Sequence, residues 1–156
     1  MIEIDTVLYD LRAANWKQTY HKVADHIADD INQDADDLAA ALIYSEHKSP
    51  SGVGQNVALP HLLVEGLSDP YIAFVKLSSS VEMETMDALP VDTMMILLSP
   101  ANDGPYHLQR LSRISRLFKN ESFSRKIRSA ESEDAVNDIV MDGFQTLFDT
   151  IHQEAA

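Results

Sequence analysis

The chain contains no cysteine, which excludes a disulfide framework, a thiolate metal site and a cysteine nucleophile together. Basic residues are scarce: 12 Lys and Arg stand against 25 Asp and Glu, a formal net charge of −13. Nucleic-acid binding requires a basic surface that displaces counterions from phosphates, so no nucleic acid is expected as a partner. Long apolar runs are missing as well. The purest, Met94 to Leu98, is far too short to cross a bilayer, and Met1-Ile2-Glu3-Ile4-Asp5 has neither the basic segment nor the apolar stretch of a signal peptide. These absences fit a cytoplasmic protein with no membrane insertion. No internal repeat or low-complexity linker divides the chain, and 156 residues with 45% hydrophobic content suffice for one core, so a single domain over residues 1–156 is expected.

Apolar spacing orders the elements. Trp16, Tyr20, Val23, Ile27 and Ile31 recur at intervals of four, three, four and four, lining one face of a helix. Asp34 can cap a second helix that turns Leu38, Leu42 and Ile43 inward, and Ser49-Pro50-Ser51-Gly52 ends it. Residues 57–59, 71–77 and 91–98 read as strands, the last two apolar enough for a sheet covered on both faces. Ser78-Ser79-Ser80 reads as a loop. The stretch from Ala101 to Gly104 offers a capping residue, and Pro105 suits the first turn of a helix with a buried stripe of Leu108, Leu111, Ile114, Leu117 and Phe118. A short helix over about 121–128 and a last one from Ser132 to about Ile151 complete an α/β order. Seven of the 12 basic residues fall within the 19 positions from Arg110 to Arg128. They read as solvated helix faces, with a docking role as the alternative.

The segment Ser51-Gly52-Val53-Gly54-Gln55-Asn56-Val57-Ala58-Leu59-Pro60-His61 is the most informative. A Gly-bearing loop runs into a short apolar strand that ends in Pro and then one His. That layout fixes an imidazole at a strand terminus above a rigid backbone, which suits a nucleophilic histidine. The plainer reading is a half-buried His capping an edge strand.

This segment resembles the active-site stretch of the fructose/mannitol-type (type 2) enzyme IIA domains of the bacterial phosphotransferase system, including the nitrogen-regulatory branch. The family pattern runs Thr/Ser-Gly-Ile/Val-Gly-x-Gly-Ile/Val-Ala-Ile/Leu-Pro-His. Residues 77–92 are similar to the family's stretch ending in Asp-x-x-Pro-Val-Asp, His107-Leu108-Gln109-Arg110-Leu111 to its His-Leu helix start, and residues 123–140 to its tail, so that the likeness covers about residues 20 to 145. It implies one α/β domain, a mixed β-sheet flanked by helices on both faces. It also implies covalent phosphoryl relay. His61 would accept a phosphoryl group from an HPr-like phosphocarrier protein and pass it to a IIB domain, a transporter or a regulatory protein. His107, in the first turn of its helix, would lie beside His61, where unpaired N–H groups and the positive dipole end favour a phosphoryl group. Loop groups of Ser51, Gly52, Gly54 and Asn56 would hold the phosphoryl oxygens. Neutral imidazole, with a pKa of about 6.5, offers its lone pair near neutral pH, and no metal or other cofactor is required.

Three departures from the family pattern bear on this. The family commonly places Arg-Glu sixteen residues before the active His; here the pair is Ser45-Glu46. A hydroxyl cannot replace a bidentate guanidinium at a phosphate. Leu62 stands in place of the Gly after Pro-His, a bulky side chain that would narrow access to the nucleophile or make a different contact. Asn56 replaces a Gly, a mild change because Asn tolerates left-handed backbone. The alternative they support is a regulatory interaction module without efficient phosphotransfer. Asp87 and Asp92 are expected to pin the turn and strand entry, and Met83, Met86, Met94 and Met95 to pack in the core or at its rim. A zinc site from His47, His61 and His107 with Glu65 or Asp87 is chemically reasonable but has no tight ligand spacing, so no metal is expected.

Overall fold

The computed structural model describes residues 3–155. Along the chain come β1 (Thr6–Leu11), α1 (Trp16–Ile27), a 3-10 turn (Asp29–Ile31), α2 (Ala35–Lys48), β2 (Gly52–Gly54), β3 (Val57–Ala58) and β4 (His61–Val64). Then follow β5 (Tyr71–Val81), β6 (Val91–Pro100), α3 (Pro105–Lys119), α4 (Glu121–Ser129) and α5 (Glu133–Ala155). The first two helices start on side-chain caps. Asn15 Oδ1 accepts from the Gln18 amide at 2.8 Å and Asp34 Oδ1 from that of Asp37 at 2.9 Å. Ile31 is buried as its spacing implies, but on the 3-10 turn, because Asn32 in left-handed backbone (φ 54°) ends the helical path there.

The sheet order is β1-β5-β6-β3-β2, with β4 also paired to β6. The β5–β6 and β2–β3 pairs are antiparallel; β1 runs parallel to β5, and β3 and β4 run parallel to β6. Alternation along β6 divides the core in two. Met94, Ile96 and Leu98 pack with Tyr20, Val23, Ile27, Leu38 and Leu42 of α1 and α2. Met95 and Leu97 pack with Ile114, Phe118, Phe123, Ile127, Val140 and Phe144 of α3 to α5. The result is one mixed α/β domain with helices on both faces of the sheet. The expected span of 1–156 also includes residues 1, 2 and 156, which lie outside the described residues.

The line formed by β3 and β4 positions the site. Val57 and Ala58 face Thr93 and Met94 of β6, while His61 to Val64 face Leu97 to Pro100 with the offset unchanged. The two are therefore one strand interrupted at Leu59-Pro60, where proline has no N–H to give the ladder; Leu97 N still donates to the Pro60 carbonyl at 3.0 Å. Ala58, Leu62 and Val64 turn toward α1 and α2, whereas Val57 and Leu59 turn toward α3 and α4. His61 has the parity of the second set.

Several expectations change. Residues 78–80 are the exposed end of β5, where a register shift between Lys76 and Val81 loosens the ladder, rather than a loop. Leu108 is 66% exposed instead of buried. The inward stripe of α3 runs His107, Leu111, Ile114 and Phe118, and Leu108 sits one residue, about 100°, off it. Met86 is 83% exposed, so its place is outside the core. The residue before α3 is Gly104 (φ 58°), which offers no side-chain cap, and the Asp103 carboxylate pairs with Arg110 instead. Among the described residues no helix is long and apolar enough to cross a membrane.

Candidate functional site

Pro60 fixes the backbone before His61, and strand parity aims the imidazole at the start of α3. His61 Nδ1 lies 3.0 Å from the Leu59 carbonyl oxygen. A carbonyl only accepts, so this nitrogen carries the proton and Nε2 keeps its lone pair. Facing it is His107, buried in the first turn of α3; the two ring centroids are 5.4 Å apart at an angle of 44°.

His107 is held from behind by a chain of hydrogen bonds. Its Nδ1 lies 2.7 Å from Oγ of Ser99, a fully buried residue on β6. Arg110, three residues along α3, donates to the same Oγ at 3.3 Å and pairs with Asp103. A guanidinium donates only, so Arg110 occupies one lone pair of the Ser99 oxygen; where the hydroxyl gives its own proton to His107 Nδ1, His107 carries its proton on Nε2. Burial, then the neighbouring His61 and Arg110, hold the His107 pKa below the usual imidazole value, with Asp103 opposing, so the ring stays neutral as this tautomer requires. With Ser99 donating, the paired rings are complementary: His61 presents a lone pair and His107 an N–H donor.

The remaining expected site residues lie differently. Ser51 is buried, and both its amide (2.7 Å) and its Oγ (2.6 Å) donate to the Glu46 carboxylate, which also accepts from the Tyr20 hydroxyl. Burial and this carboxylate push the Tyr20 phenol well above its ordinary pKa. Glu46 therefore anchors the loop, and Ser51 is committed to it. Gly52 is required by close packing: a Cβ there would come within 2.4 Å of Thr85 Cγ2 and 2.6 Å of the Glu84 carbonyl. Gly54, Gln55 and Asn56 all have positive φ (93°, 55° and 68°) and form the β2–β3 hairpin turn. Asn56 Nδ2 donates to the Pro90 carbonyl at 2.8 Å. Asp87 accepts from the Gln55 amide (2.8 Å) and the Leu89 amide (3.1 Å), hydrogen bonds that hold its carboxyl below the usual range. Five residue steps lead from Asn56 to His61, about 16 Å at about 3.3 Å each along an extended chain. The structure thus brings His61 and His107 together and leaves Gly54 and Asn56 at the far end of the hairpin.

Other positions follow from the same geometry. Leu62 packs on the α1–α2 side, opposite His61, so it makes a different contact and does not narrow access. Ser45 is half-buried on α2. His47 packs edge-on against Trp16, 5.2 Å between centroids, so it does not join His61 and His107. Among the described residues no group of three or more His, Asp or Glu could hold a metal ion. Asp92 at the entry to β6 pairs with Lys76 at 3.7 Å and Arg128 at 3.5 Å. Sequence reasoning missed Ser99 and Arg110 as site residues. The i, i+3 spacing of His107 and Arg110 was a usable signal for the second.

Comparison with known proteins gives the family. Residues 1–142 match the family described as phosphoenolpyruvate-dependent sugar phosphotransferase system, EIIA 2. A nitrogen regulatory protein of Bradyrhizobium diazoefficiens is 27% identical over 140 residues, covering 90% of this chain and 92% of that one. The fructose-specific EIIA component of Haloferax volcanii is 33% identical over 107 residues, covering 69% and 70%. The crystal structure of the nitrogen regulatory protein IIA-Ntr from Neisseria meningitidis superposes with a TM-score of 0.79 at 25% identity, covering 86% of this chain and 91% of that one. With the family match running over most of its length and the fold repeated in a solved relative, the chain belongs to the type 2 enzyme IIA family of the phosphotransferase system.

Proposed function

We propose that this protein is a cytoplasmic phosphohistidine carrier of nitrogen-regulatory type, acting as one domain over residues 1–156, with His61 as the phosphoryl acceptor. The observation that carries the reading is the pairing of the two imidazoles, 5.4 Å apart, with His61 Nδ1 held by the Leu59 carbonyl and His107 Nδ1 by Ser99, which suits complementary tautomers. His61 Nε2 attacks the phosphorus of a donor phosphohistidine in line. The new P–N bond forms as the donor's P–N bond breaks, and the donor imidazole departs with its electron pair. The Leu59 carbonyl accepts from Nδ1–H and steadies the positive charge that grows on the ring. His107 Nε2–H donates to a phosphoryl oxygen, and the Arg110–Ser99 chain fixes that donor in place without solvent reorganisation. Ser51 and Gly52 serve as positioning residues through Glu46 and Thr85, and the Gly54–Asn56 turn supports the hairpin at a distance from the phosphoryl group.

The donor on this reading is an HPr-like phosphocarrier protein and the onward partner a transporter, a IIB domain or a regulatory protein. Relatives named as a nitrogen regulatory protein and as a fructose-specific EIIA component support a regulatory or a sugar-system onward partner. A second reading, an interaction module without efficient transfer, is favoured by Ser45 occupying the sequence position where the family pattern has Arg, a residue suited to clamping phosphate. Incubation with phosphoenolpyruvate, enzyme I and either HPr or its nitrogen-branch counterpart, followed by intact-mass analysis, separates the two. The relay predicts a single acid-labile phosphoryl adduct that is lost in His61→Ala. Absence of an adduct with either donor would overturn it in favour of the interaction module.

A further inference from the structure

The sheet face that carries His61 holds a second concave feature. A groove of about 520 Å³ runs between the β2–β3 hairpin and the α3–α4 corner, floored by Val57, Leu59 and Phe118 and edged by Lys119, Arg125 and Arg128. Glu121 is the one carboxylate among its described lining residues. In a chain with net charge −13, three cations against one acid is a reversal of the average surface. Solvation of a single helix face does not account for it, because the cations come from the end of α3 and from α4 and converge on an apolar floor supplied by the sheet. Arg128 donates to the Gln55 carbonyl and lies 3.5 Å from an Asp92 carboxylate oxygen, which ties α4 to the hairpin and sets the groove walls in advance. Lys119 and Arg125 are exposed, and among the described residues neither forms an ion pair.

We infer that this groove binds a small phosphate-bearing metabolite with a planar or apolar moiety, of the size class of a nucleoside diphosphate. The volume falls in the range of small-molecule sites, about 300–1,000 Å³. Lys119 and Arg125 would take the phosphates beside Arg128, whose guanidinium is held by Gln55 and Asp92, and the ring would lie on Leu59 and Phe118. An acidic peptide would satisfy the cations but leave that ring-sized floor unused. The inference does not depend on the relay reading. Leu59 only adjoins both features, its side chain flooring the groove while its carbonyl orients His61.

The test is a titration of isotope-labelled protein with ADP, adenosine and pyrophosphate, followed by amide NMR at constant ionic strength. ADP is expected to shift Gln55, Lys119, Ser124 and Arg125 saturably, with adenosine and pyrophosphate each bound about tenfold more weakly or worse. The Lys119→Ala/Arg125→Ala variant should lose about tenfold in ADP affinity, while His61→Ala binds as the parent does. If the double variant fails to fold, Arg125→Gln alone should still weaken ADP binding. Any of four results overturns the inference: no saturable shift at millimolar ADP, shifts gathered on His61 and His107, pyrophosphate bound as well as ADP, or a polyglutamate peptide bound more tightly than ADP.

Discussion

Ser99 decides what His107 can offer. Its hydroxyl, buried and accepting from Arg110, lies 2.7 Å from His107 Nδ1, and on the proposed relay it donates there and leaves the Nε2 proton facing His61. Ser99→Ala removes that constraint, and the His107 ring becomes free to move its proton to Nδ1. Nitrogen chemical shifts of the ring should then report a mixture of tautomers where the parent shows one. Phosphorylation of His61 should slow by about tenfold, the rate equivalent of a net hydrogen bond of about 1.4 kcal/mol, while global stability falls by about 1 kcal/mol. An unchanged rate beside a changed tautomer would remove His107 from the mechanism. The two histidines could be singled out in the sequence because His61 closes one recognisable segment and His107 opens another. Ser99 was not, since it closes an apolar run and reads as a strand end; only its alternation along β6 aims it at His107. Leu62 illustrates the same limit. Adjacent to His61 in sequence, it lies on the opposite face of the sheet.

The elements were legible in proportion to their burial contrast. Helices α1 and α2 follow from periodic apolar residues and, for α2, the Asp34 cap, and β5 and β6 follow from apolar runs that only a doubly covered strand carries. β1 escaped notice because it is an edge strand of mixed burial, and Asp10 with φ 61° interrupts its alternation. β4 escaped because Pro60 looks like a terminus, and continuity with β3 appears only through their shared register on β6. The short β2 is the element whose sequence is most constrained. At Gly52 a methyl group would meet Thr85 Cγ2 at 2.4 Å, the Glu84 carbonyl at 2.6 Å and Thr85 Cα at 2.9 Å. Two of those three are backbone atoms and cannot swing aside. Gly52→Ala should therefore cost about 1–3 kcal/mol, the range of an overpacked site, seen as a lower denaturant midpoint with an unchanged slope. Stability equal to the parent's would mean that the 84–85 segment yields freely and does not fix the hairpin.

At the scale of the whole molecule the sheet separates charge. The α1–α2 layer carries Asp25, Asp29, Asp30, Asp34, Asp36 and Asp37, whereas α3 and α4 carry seven of the 12 basic residues, with α5 acidic again beside them. Strand parity turns His61 toward α3, which places the proposed acceptor on the side where a dianionic group meets least repulsion. This follows from alternation along β4 and could not be read before the sheet order was known. The net charge of −13 remains, and it opposes compaction because like charges lie closer in the folded chain than in the unfolded one. Three ion pairs among the described residues pull the other way: Lys76–Asp92, Arg110–Asp103 and Arg128–Asp92. All are partly covered, and the exposed part of such pairs contributes about 0–1 kcal/mol. Salt should weaken the long-range repulsion more than these short contacts, since raising ionic strength from about 0.01 M to 0.15 M shrinks the screening length from about 30 Å to about 8 Å. The melting temperature is therefore expected to rise by about 2–4 °C, equivalent to about 1 kcal/mol for a chain of this size. A fall over that range, measured by calorimetry at fixed pH, would show that the ion pairs outweigh the repulsion and that the segregated charge is a stabilising arrangement in its own right.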